Sequence, residues 1–332
     1  DLDSHGRFSA KSSHAYKNGY LERPIVDEWL DILRQIICKN WPMLIVVEHQ
    51  FSIKVSHDVD TPSMYGFKSW PMIARMMVSH LIKRRDMRSF FVAPYIRATS
   101  GSELSFRDKY NTFDWLMDQS EVRGLTSAFY FICGRTDKTK DADYELEHPA
   151  IRDLLRRIHE RGHEIGLHPS YGSYKNSAIL SSEARHLISV CREEGIVQQS
   201  WGGRMHYLRW EQPTTLNAWA DAGMAYDSTL GYADHPGFRC GTCFEYPAYD
   251  PVEQCSVNLR VRPLIVMEGS VISSSYLGLG TSVLAYDKIA TLKDRCRKVN
   301  GCFTLLWHNS YLDGENLKNL YIRSISDSTR QH

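Results

Sequence analysis

Short apolar segments typical of β-strands alternate with helical segments along most of this chain, and this alternation restricts the fold more than any other feature. Strands that are joined through helices usually pair in parallel, and the helices then cover the sheet. The predicted strands are 53–59, 126–133, 163–168, 197–201, 225–228, 263–267 and 302–308. The predicted helices between them are 70–83, 112–123, 149–161, 181–194, 213–222 and 285–299.

About seven such repeats predict an α/β fold, an incomplete (β/α)7-type barrel that is a distorted triosephosphate-isomerase barrel. The first fifty residues differ, because they are polar at the start and then show helical spacing over 25–37. We expect 1–50 to be an N-terminal arm and helix, the end of a truncated upstream region. The barrel domain is expected over 51–320 and a C-terminal tail over 321–332. The Gly-, Pro- and Cys-rich segment 237–258 is predicted to be a long loop.

Charge and composition exclude some partners. Forty basic and thirty-nine acidic residues give a net charge of +1, so no overall field favours nucleic acid or an anionic membrane. No apolar run approaches the roughly twenty residues of a membrane-spanning helix. Eight scattered cysteines and the lack of a leader segment predict a reduced, cytoplasmic location. The sequence predicts no oligomeric state.

Polar motifs follow or close four of the predicted strands. They are SHDVDT at 56–61, GLHPSY at 166–171, GGRMHY at 202–207 and LLWHNS at 305–310. In a parallel barrel the carboxyl ends of the strands meet at one mouth, where functional side chains gather. We therefore expect these four motifs to form one site.

The first motif carries two carboxylates. Asp58 and Asp60 are two residues apart at a strand end, so they project to the same side of the chain. Like charges at this spacing raise the pKa of one carboxyl unless a cation neutralises them. One aspartate can then bind a cation while the other accepts a proton. A strand-end cap is the alternative reading.

The other motifs supply histidines and an arginine. His168 closes a strand directly before a proline and is a candidate metal ligand. Arg204 and His206 share a face if their strand continues, and Arg204 would keep a nearby carboxylate ionised. A sheet-edge ion pair is the alternative for Arg204. His308 closes the last strand and is either a general acid or a packed core histidine.

With these motifs in this order, the chain resembles the polysaccharide deacetylases with NodB homology (carbohydrate esterase family 4), in the branch with HDVD, GLHPSY and WHN motifs. The resemblance extends from about Arg23 to Leu312. It implies an incomplete (β/α) barrel that uses a divalent metal, zinc first and otherwise manganese, cobalt or nickel. The implied reaction is hydrolysis of an N-acetyl group, or less readily an O-acetyl group, on a sugar. The expected partner is an acetylated sugar of a polysaccharide or glycan precursor.

The resemblance also implies roles for individual residues. Asp58 is similar to the catalytic base, and Arg204 to the arginine that braces it. Asp60 and His168 are similar to metal ligands, and His308 to the catalytic acid.

Two further points concern the aspartates. Asp227, in YDSTLGY, resembles an aspartate that such proteins place near the site, and it is a candidate orienter of His308. The family's aspartates are adjacent, whereas Val59 separates Asp58 from Asp60, so base and ligand could be exchanged.

One departure from the family affects the metal. Typical members have a second histidine four residues after the first, but Gly172 stands there, and no histidine occurs until His186. We expect His206 to supply the third ligand. The alternatives are a site unlike that of the family, or a site without metal.

Two other functions remain open on this reading. The first is a metal-free amidohydrolase on the same barrel, which metal analysis would distinguish. The second is a catalytically inactive carbohydrate-binding module, which would bind glycan without releasing acetate.

Overall fold

A nine-stranded sheet forms the centre of the computed structural model, which describes residues 2–327. The strands are β1 (Ser52–Val59), β2 (Ser127–Ile132), β3 (Glu164–His168), β4 (Gly202–Gly203), β5 (Tyr226–Asp227), β6 (Tyr246–Asp250), β7 (Cys255–Val261), β8 (Val266–Met267) and β9 (Cys302–Leu306). Their spatial order is β6-β7-β5-β4-β3-β2-β1-β9-β8. All neighbouring strands are parallel except β6 and β7. Because β6 and β8 remain as edges within the described residues, the sheet is not closed, and the predicted incomplete α/β barrel is confirmed.

Helices connect most of the strands. They are α1 (His14–Lys17), α2 (Ile25–Asn40), α3 (Trp70–Ser79), α4 (Met87–Thr99), α5 (Phe113–Glu121), α6 (Pro149–Glu160), α7 (Ser177–Glu193), α8 (Thr214–Asp221), α9 (Glu268–Ile272), α10 (Val283–Lys298) and α11 (Glu315–Ile325). Helix α6 shows how the sequence specifies such a helix. Proline occupies its first turn, and Ile151, Leu154, Leu155 and Ile158 bury one apolar stripe at helical spacing.

The core lies between the sheet and these helices. Every residue of β2 is buried, as expected for a parallel strand with neighbours on both faces. One large apolar cluster extends from Val55 in β1 to Ile325 in α11. It holds the strands in register, so the strand ends that carry the polar motifs are fixed in space.

Two sequence predictions are wrong in this region. The strand expected at 197–201 lies instead at Gly202–Gly203, because Gly203 allows close approach to β3 and Gly202 leaves room for the ring of Tyr226 in β5. The loop expected over 237–258 contains β6 and the start of β7, which form an antiparallel hairpin. In β7 the core-facing residues Leu259 and Val261 alternate with exposed ones, a period-2 pattern that indicates a half-buried strand.

The terminal segments are only partly described. The N-terminal segment contains α1 and α2. Helix α11 continues to Ile325, into the segment predicted as a tail, and 328–332 lie outside the described residues.

Within 2–327, each helix is too short or too polar to cross a lipid bilayer.

Gly203 gives a test of this strand arrangement. A Cβ at this position would lie 1.8 Å from the carbonyl oxygen of Leu167 in β3, and backbone cannot yield as a flexible side chain does. We expect Gly203→Ala to lower the free energy of unfolding by about 3 kcal/mol, measured by chemical denaturation. Gly101→Ala is the matched control, because Gly101 is exposed and its added Cβ would meet no heavy atom within 4 Å. Equal stabilities of the two variants would contradict this account.

Candidate metal and catalytic site

The polar motifs meet at the carboxyl ends of the central strands. β1 contains Asp58 and is followed directly by Asp60, β3 ends in His168, and His308 lies two residues after β9, while Arg204 and His206 follow β4. These six residues are linked by contacts of 2.6–3.7 Å in one mouth.

Arg204 and His206 reach the mouth by a path that differs from the predicted one. The strand does not continue through them, because β4 ends at Gly203 and a single 3-10 turn begins at His206. Tyr207 has a φ of 60°, in the left-handed region, so the chain turns sharply there. The turn, rather than a continuous strand, places His206 beside His168.

Asp60, His168 and His206 bring three donor atoms together. His206 Nδ1 lies 3.0 Å from His168 Nε2, and Asp60 Oδ1 lies 3.2 Å from His168 Nε2 and 3.4 Å from His206 Nδ1. Two imidazole nitrogens and a carboxylate oxygen are ligands that zinc prefers. Tetrahedral coordination at about 2.0 Å separates neighbouring donors by roughly 3.3 Å, so the observed spacing fits a metal ion.

Each of the two histidines has one ring nitrogen among the three donors and one that points away from them. The hydrogen bonds of the nitrogens that point away fix the tautomers. His168 Nδ1 lies 2.6 Å from the Arg204 carbonyl oxygen, and His206 Nε2 lies 2.9 Å from the Lys140 carbonyl oxygen. A carbonyl oxygen only accepts, so each of these nitrogens carries a proton. When both rings are neutral, the lone pairs of His168 Nε2 and His206 Nδ1 point towards each other and towards Asp60. Three such acceptors repel one another unless a cation or a proton lies among them.

The electrostatics of the group also favour a cation. Asp60 Oδ1 is buried and has no hydrogen-bond donor among the described residues. Burial raises the pKa of Asp60, but the attraction of His206, His168 and His308 outweighs it and lowers this pKa below its usual range. Burial lowers the pKa of His206 more than Asp60 raises it. For His168, Asp58 and Asp60 outweigh burial and raise the pKa, so a proton competes with a metal for this nitrogen.

Asp58 differs from Asp60 in its partner. Arg204 Nη1 donates to Asp58 Oδ1 over 2.7 Å, and both side chains are buried. The other oxygen, Oδ2, lies 3.7 Å from His168 Nε2 on the side of the three donors. One oxygen of Asp58 is thus held by the arginine, and the other faces the centre of the site.

His308 pairs with Glu268 and lies close to Asp60. Its Nδ1 lies 2.5 Å from Glu268 Oε1, and its Nε2 faces Asp60 Oδ2 at 3.6 Å. Burial would lower the pKa of His308, but attraction to Glu268 outweighs it, with smaller contributions from Asp60 and Asp58, and raises this pKa to about 10. His308 therefore holds a proton near neutral pH and presents Nε2–H to the mouth.

The prediction that Asp227 orients His308 is wrong, because Glu268 occupies that place. Asp227 Oδ1 instead accepts the backbone N–H and the hydroxyl of Thr229. The hydroxyl oxygen of Thr229 accepts the N–H of Met205 over 2.9 Å. Burial raises the pKa of Asp227 to about 6, although Thr229 and Arg204 lower it. Asp227 thus supports the segment between Arg204 and His206.

Glu268 is the site residue that the sequence reasoning missed. It directly follows Met267, the last residue of β8, so the rule used for the other motifs would have found it. The carbonyl of Lys140 was also missed, and no residue-type signal identifies a backbone acceptor. Asp141 holds its loop, because its Oδ2 accepts the N–H of Thr136 over 2.7 Å.

Comparisons with known proteins show a similar fold. The model of a family of unknown function, DUF7033, matches residues 1–42, and no curated protein matches the chain. A structure described as a polysaccharide deacetylase from Mycobacterium smegmatis is 17% identical, covers 85% of each chain and has a TM-score of 0.51. One described as a polysaccharide deacetylase from Pseudomonas aeruginosa PAO1 is 14% identical, covers 86% of each chain and has a TM-score of 0.46. An allantoinase, PuuE, is 13% identical, covers 83% of each chain and has a TM-score of 0.45. The likeness to the Mycobacterium protein shows that the chain shares its fold.

Zinc titration tests the three donors. We expect Asp60→Ala and His206→Ala each to weaken Zn²⁺ binding at least ~100-fold, because each removes one of three protein ligands. Calorimetric titration of metal-stripped protein measures the affinity, and circular dichroism checks the fold. His14→Ala is the control, since His14 is exposed and lies in α1. An unchanged affinity in either site variant would remove that residue from the ligand set.

Proposed function

We propose that this protein is a metal-dependent hydrolase that removes an acetyl group, preferably N-linked, from a sugar of a polysaccharide or glycan precursor. The observation that carries the proposal is the convergence of two histidine lone pairs and a carboxylate beside a second, arginine-held carboxylate. The barrel shared with a structure described as a polysaccharide deacetylase supports it. The motif resemblance agrees with both.

Asp60, His168 and His206 are the proposed ligands. Zinc is the proposed ion, because two imidazoles and one carboxylate suit it, with manganese, cobalt and nickel as alternatives. When bound, a divalent metal supplies Lewis-acid polarisation of the acetyl carbonyl and lowers the pKa of water. The hydrogen bonds from the two histidines to backbone carbonyls hold both rings in the required tautomer.

Asp58 is the proposed base. Arg204 occupies Asp58 Oδ1, which leaves Oδ2 to accept a proton from the attacking water on the side of the three donors. The grouping of Asp60 with the two histidines favours Asp60 as ligand and Asp58 as base over the exchanged assignment.

His308 is the proposed acid. Glu268 holds its Nδ1 proton and keeps the ring charged, so Nε2–H can protonate the sugar amine as the amide bond breaks. Asp60 Oδ2 lies 3.6 Å from Nε2, so this proton is close to one of the proposed ligands. The proposed base and acid thus both lie close to the proposed ligands, Asp58 beside His168 and His308 beside Asp60.

Asp58→Asn tests the base. Asparagine keeps the shape and can accept from Arg204 but cannot take a proton, so we expect acetate release to fall about 100- to 10,000-fold with Zn²⁺ affinity retained. Acetate is measured from N-acetylglucosamine oligomers, peptidoglycan fragments and O-acetylated sugars. Asp250→Asn is the control, because Asp250 is also buried and hydrogen-bonded but lies in β6. Wild-type turnover in Asp58→Asn would end its candidacy.

The same assay separates the alternative functions. Acetate release that survives complete removal of metal by a chelator would favour the metal-free amidohydrolase. Glycan binding without release of acetate from any substrate of the panel would favour the carbohydrate-binding module.

Glu268→Gln tests the support of the acid. Glutamine can still accept from His308 Nδ1, but it removes the negative charge that keeps the ring protonated. We expect kcat to fall roughly 10- to 100-fold, while KM and Zn²⁺ affinity stay close to wild type. A packing role alone would not separate kcat from KM in this way. Unchanged kcat would show that His308 does not depend on this carboxylate.

A further inference from the structure

A helical hairpin stands apart from the main core. It consists of α3, a π-helical turn (His80–Arg84) and α4, and it lies between β1 and α5 in the sequence. Its buried apolar residues Ile73, Ala93 and Ile96 form, with Tyr65 from the loop before α3, a small cluster separate from the main one. The hairpin therefore has its own packing, to which His80 of the π-helical turn adds a contact of 3.0 Å between its Nε2 and the hydroxyl of Tyr65.

The end of the hairpin where α3 turns into α4 exposes large apolar side chains. Ile82 and Phe91 are 69% and 64% exposed, and Val78, Leu81 and Met87 are between 45% and 54% exposed. All five lie within fourteen consecutive positions of the chain. We call them the hairpin tip. Exposed apolar residues concentrated in one short segment mark an interaction surface rather than ordinary scatter.

The same segment is strongly basic. Between 70 and 99 the sequence contains six lysines or arginines and one acidic residue, Asp86. Asp86 caps the start of α4 by accepting the N–H of Ser89 over 3.0 Å. Arg85 and Arg88 are exposed beside the apolar residues of the tip. The segment 70–99 therefore has a positive net charge of its own, although the whole chain has a net charge of only +1.

We propose that the hairpin tip binds the surface of an anionic lipid bilayer. Exposed aliphatic and aromatic side chains can enter the interfacial region while arginines and lysines face anionic head groups. Nucleic acid could bind the basic residues, but it offers no apolar environment in which the exposed side chains of Ile82 and Met87 would be buried. A second copy of the chain would bring two basic tips together, which like-charge repulsion opposes.

Helix α2 shows that exposed apolar residues alone do not make a surface suited to an anionic membrane. It also exposes apolar residues, among them Trp29, Leu33 and Ile36. Three acidic residues lie in the same helix against two basic ones, so it has no positive excess. Helix α2 therefore offers a matched apolar surface without the charge that an anionic membrane attracts.

The hairpin follows β1 at its carboxyl end, which is the end that carries Asp58 and Asp60. The proposal does not rest on the proposed hydrolysis, because vesicle binding is measured without substrate.

Vesicle binding by the whole 332-residue chain tests the proposal. We expect sedimentation with vesicles of phosphatidylcholine containing one-third phosphatidylglycerol, and at least ~10-fold weaker binding to pure phosphatidylcholine. Raising NaCl to about 0.5 M should weaken the first interaction, since screening acts on exposed charges. No binding to the anionic vesicles, or equal binding to both kinds, would overturn the proposal.

Paired variants assign the binding to the tip. Ile82→Ser with Phe91→Ser should weaken anionic-vesicle binding at least ~30-fold, and Arg85→Glu with Arg88→Glu at least ~25-fold. Leu33→Ser with Ile36→Ser, in α2, is the matched control and should bind as wild type. All positions are exposed, so circular dichroism and denaturation should match wild type.

The remaining outcomes all count against the lipid surface. Loss of binding in the α2 variant but not in the tip variants would move the contact to α2. A dimer in sedimentation velocity that the Ile82→Ser and Phe91→Ser changes dissociate would favour a second copy. Binding of duplex DNA at least as tight as that of vesicles, lost only with the arginine changes, would favour nucleic acid.

Discussion

The buried contact between Arg204 and Asp58 is the interaction on which the site depends. The guanidinium also donates to the hydroxyl of Ser56 in β1 and to the carbonyl and hydroxyl of Ser228, just after β5. The backbone carbonyl of Arg204 in turn accepts from His168 at the end of β3. One residue after β4 therefore connects three other strands across the barrel interior. Removing one member of such a buried ion pair typically costs about 3–5 kcal/mol, because the other charge is left unpaired.

Much of this arrangement could be predicted from local pattern. Periodicity identified the sheet, and the rule that strand ends meet at one mouth brought Asp58, Asp60, His168 and His308 together. Local pattern failed where a partner far along the chain decides the outcome. The β6–β7 hairpin exists because β7 pairs with β5, and glycine content alone suggested a loop. The choice of Glu268 over Asp227 as the partner of His308 depends on how β8 and β9 pair, which the sequence of either strand does not show.

The contacts of Gly172 explain why this position, four residues after His168, holds no second histidine. Gly172 donates its N–H to the hydroxyl of Thr136 over 2.7 Å, and a Cβ at 172 would lie 3.0 Å from that hydroxyl oxygen. The loop after β2 thus packs directly on this position. Four residues further along, the same loop presents the Lys140 carbonyl to His206. The tight contact at Gly172 and the orientation of His206 are therefore two effects of one loop.

The pairing of β9 with β1 has a consequence for the order in which the site can form during synthesis. β1 contributes both aspartates early in translation, but β9 joins it only after more than two hundred further residues have left the ribosome. Until then one side of β1 lacks its hydrogen-bonded neighbour, and neither Glu268 nor His308 is in position. A nascent chain would therefore contain Asp60, His168 and His206 before it contains the proposed acid and its carboxylate partner.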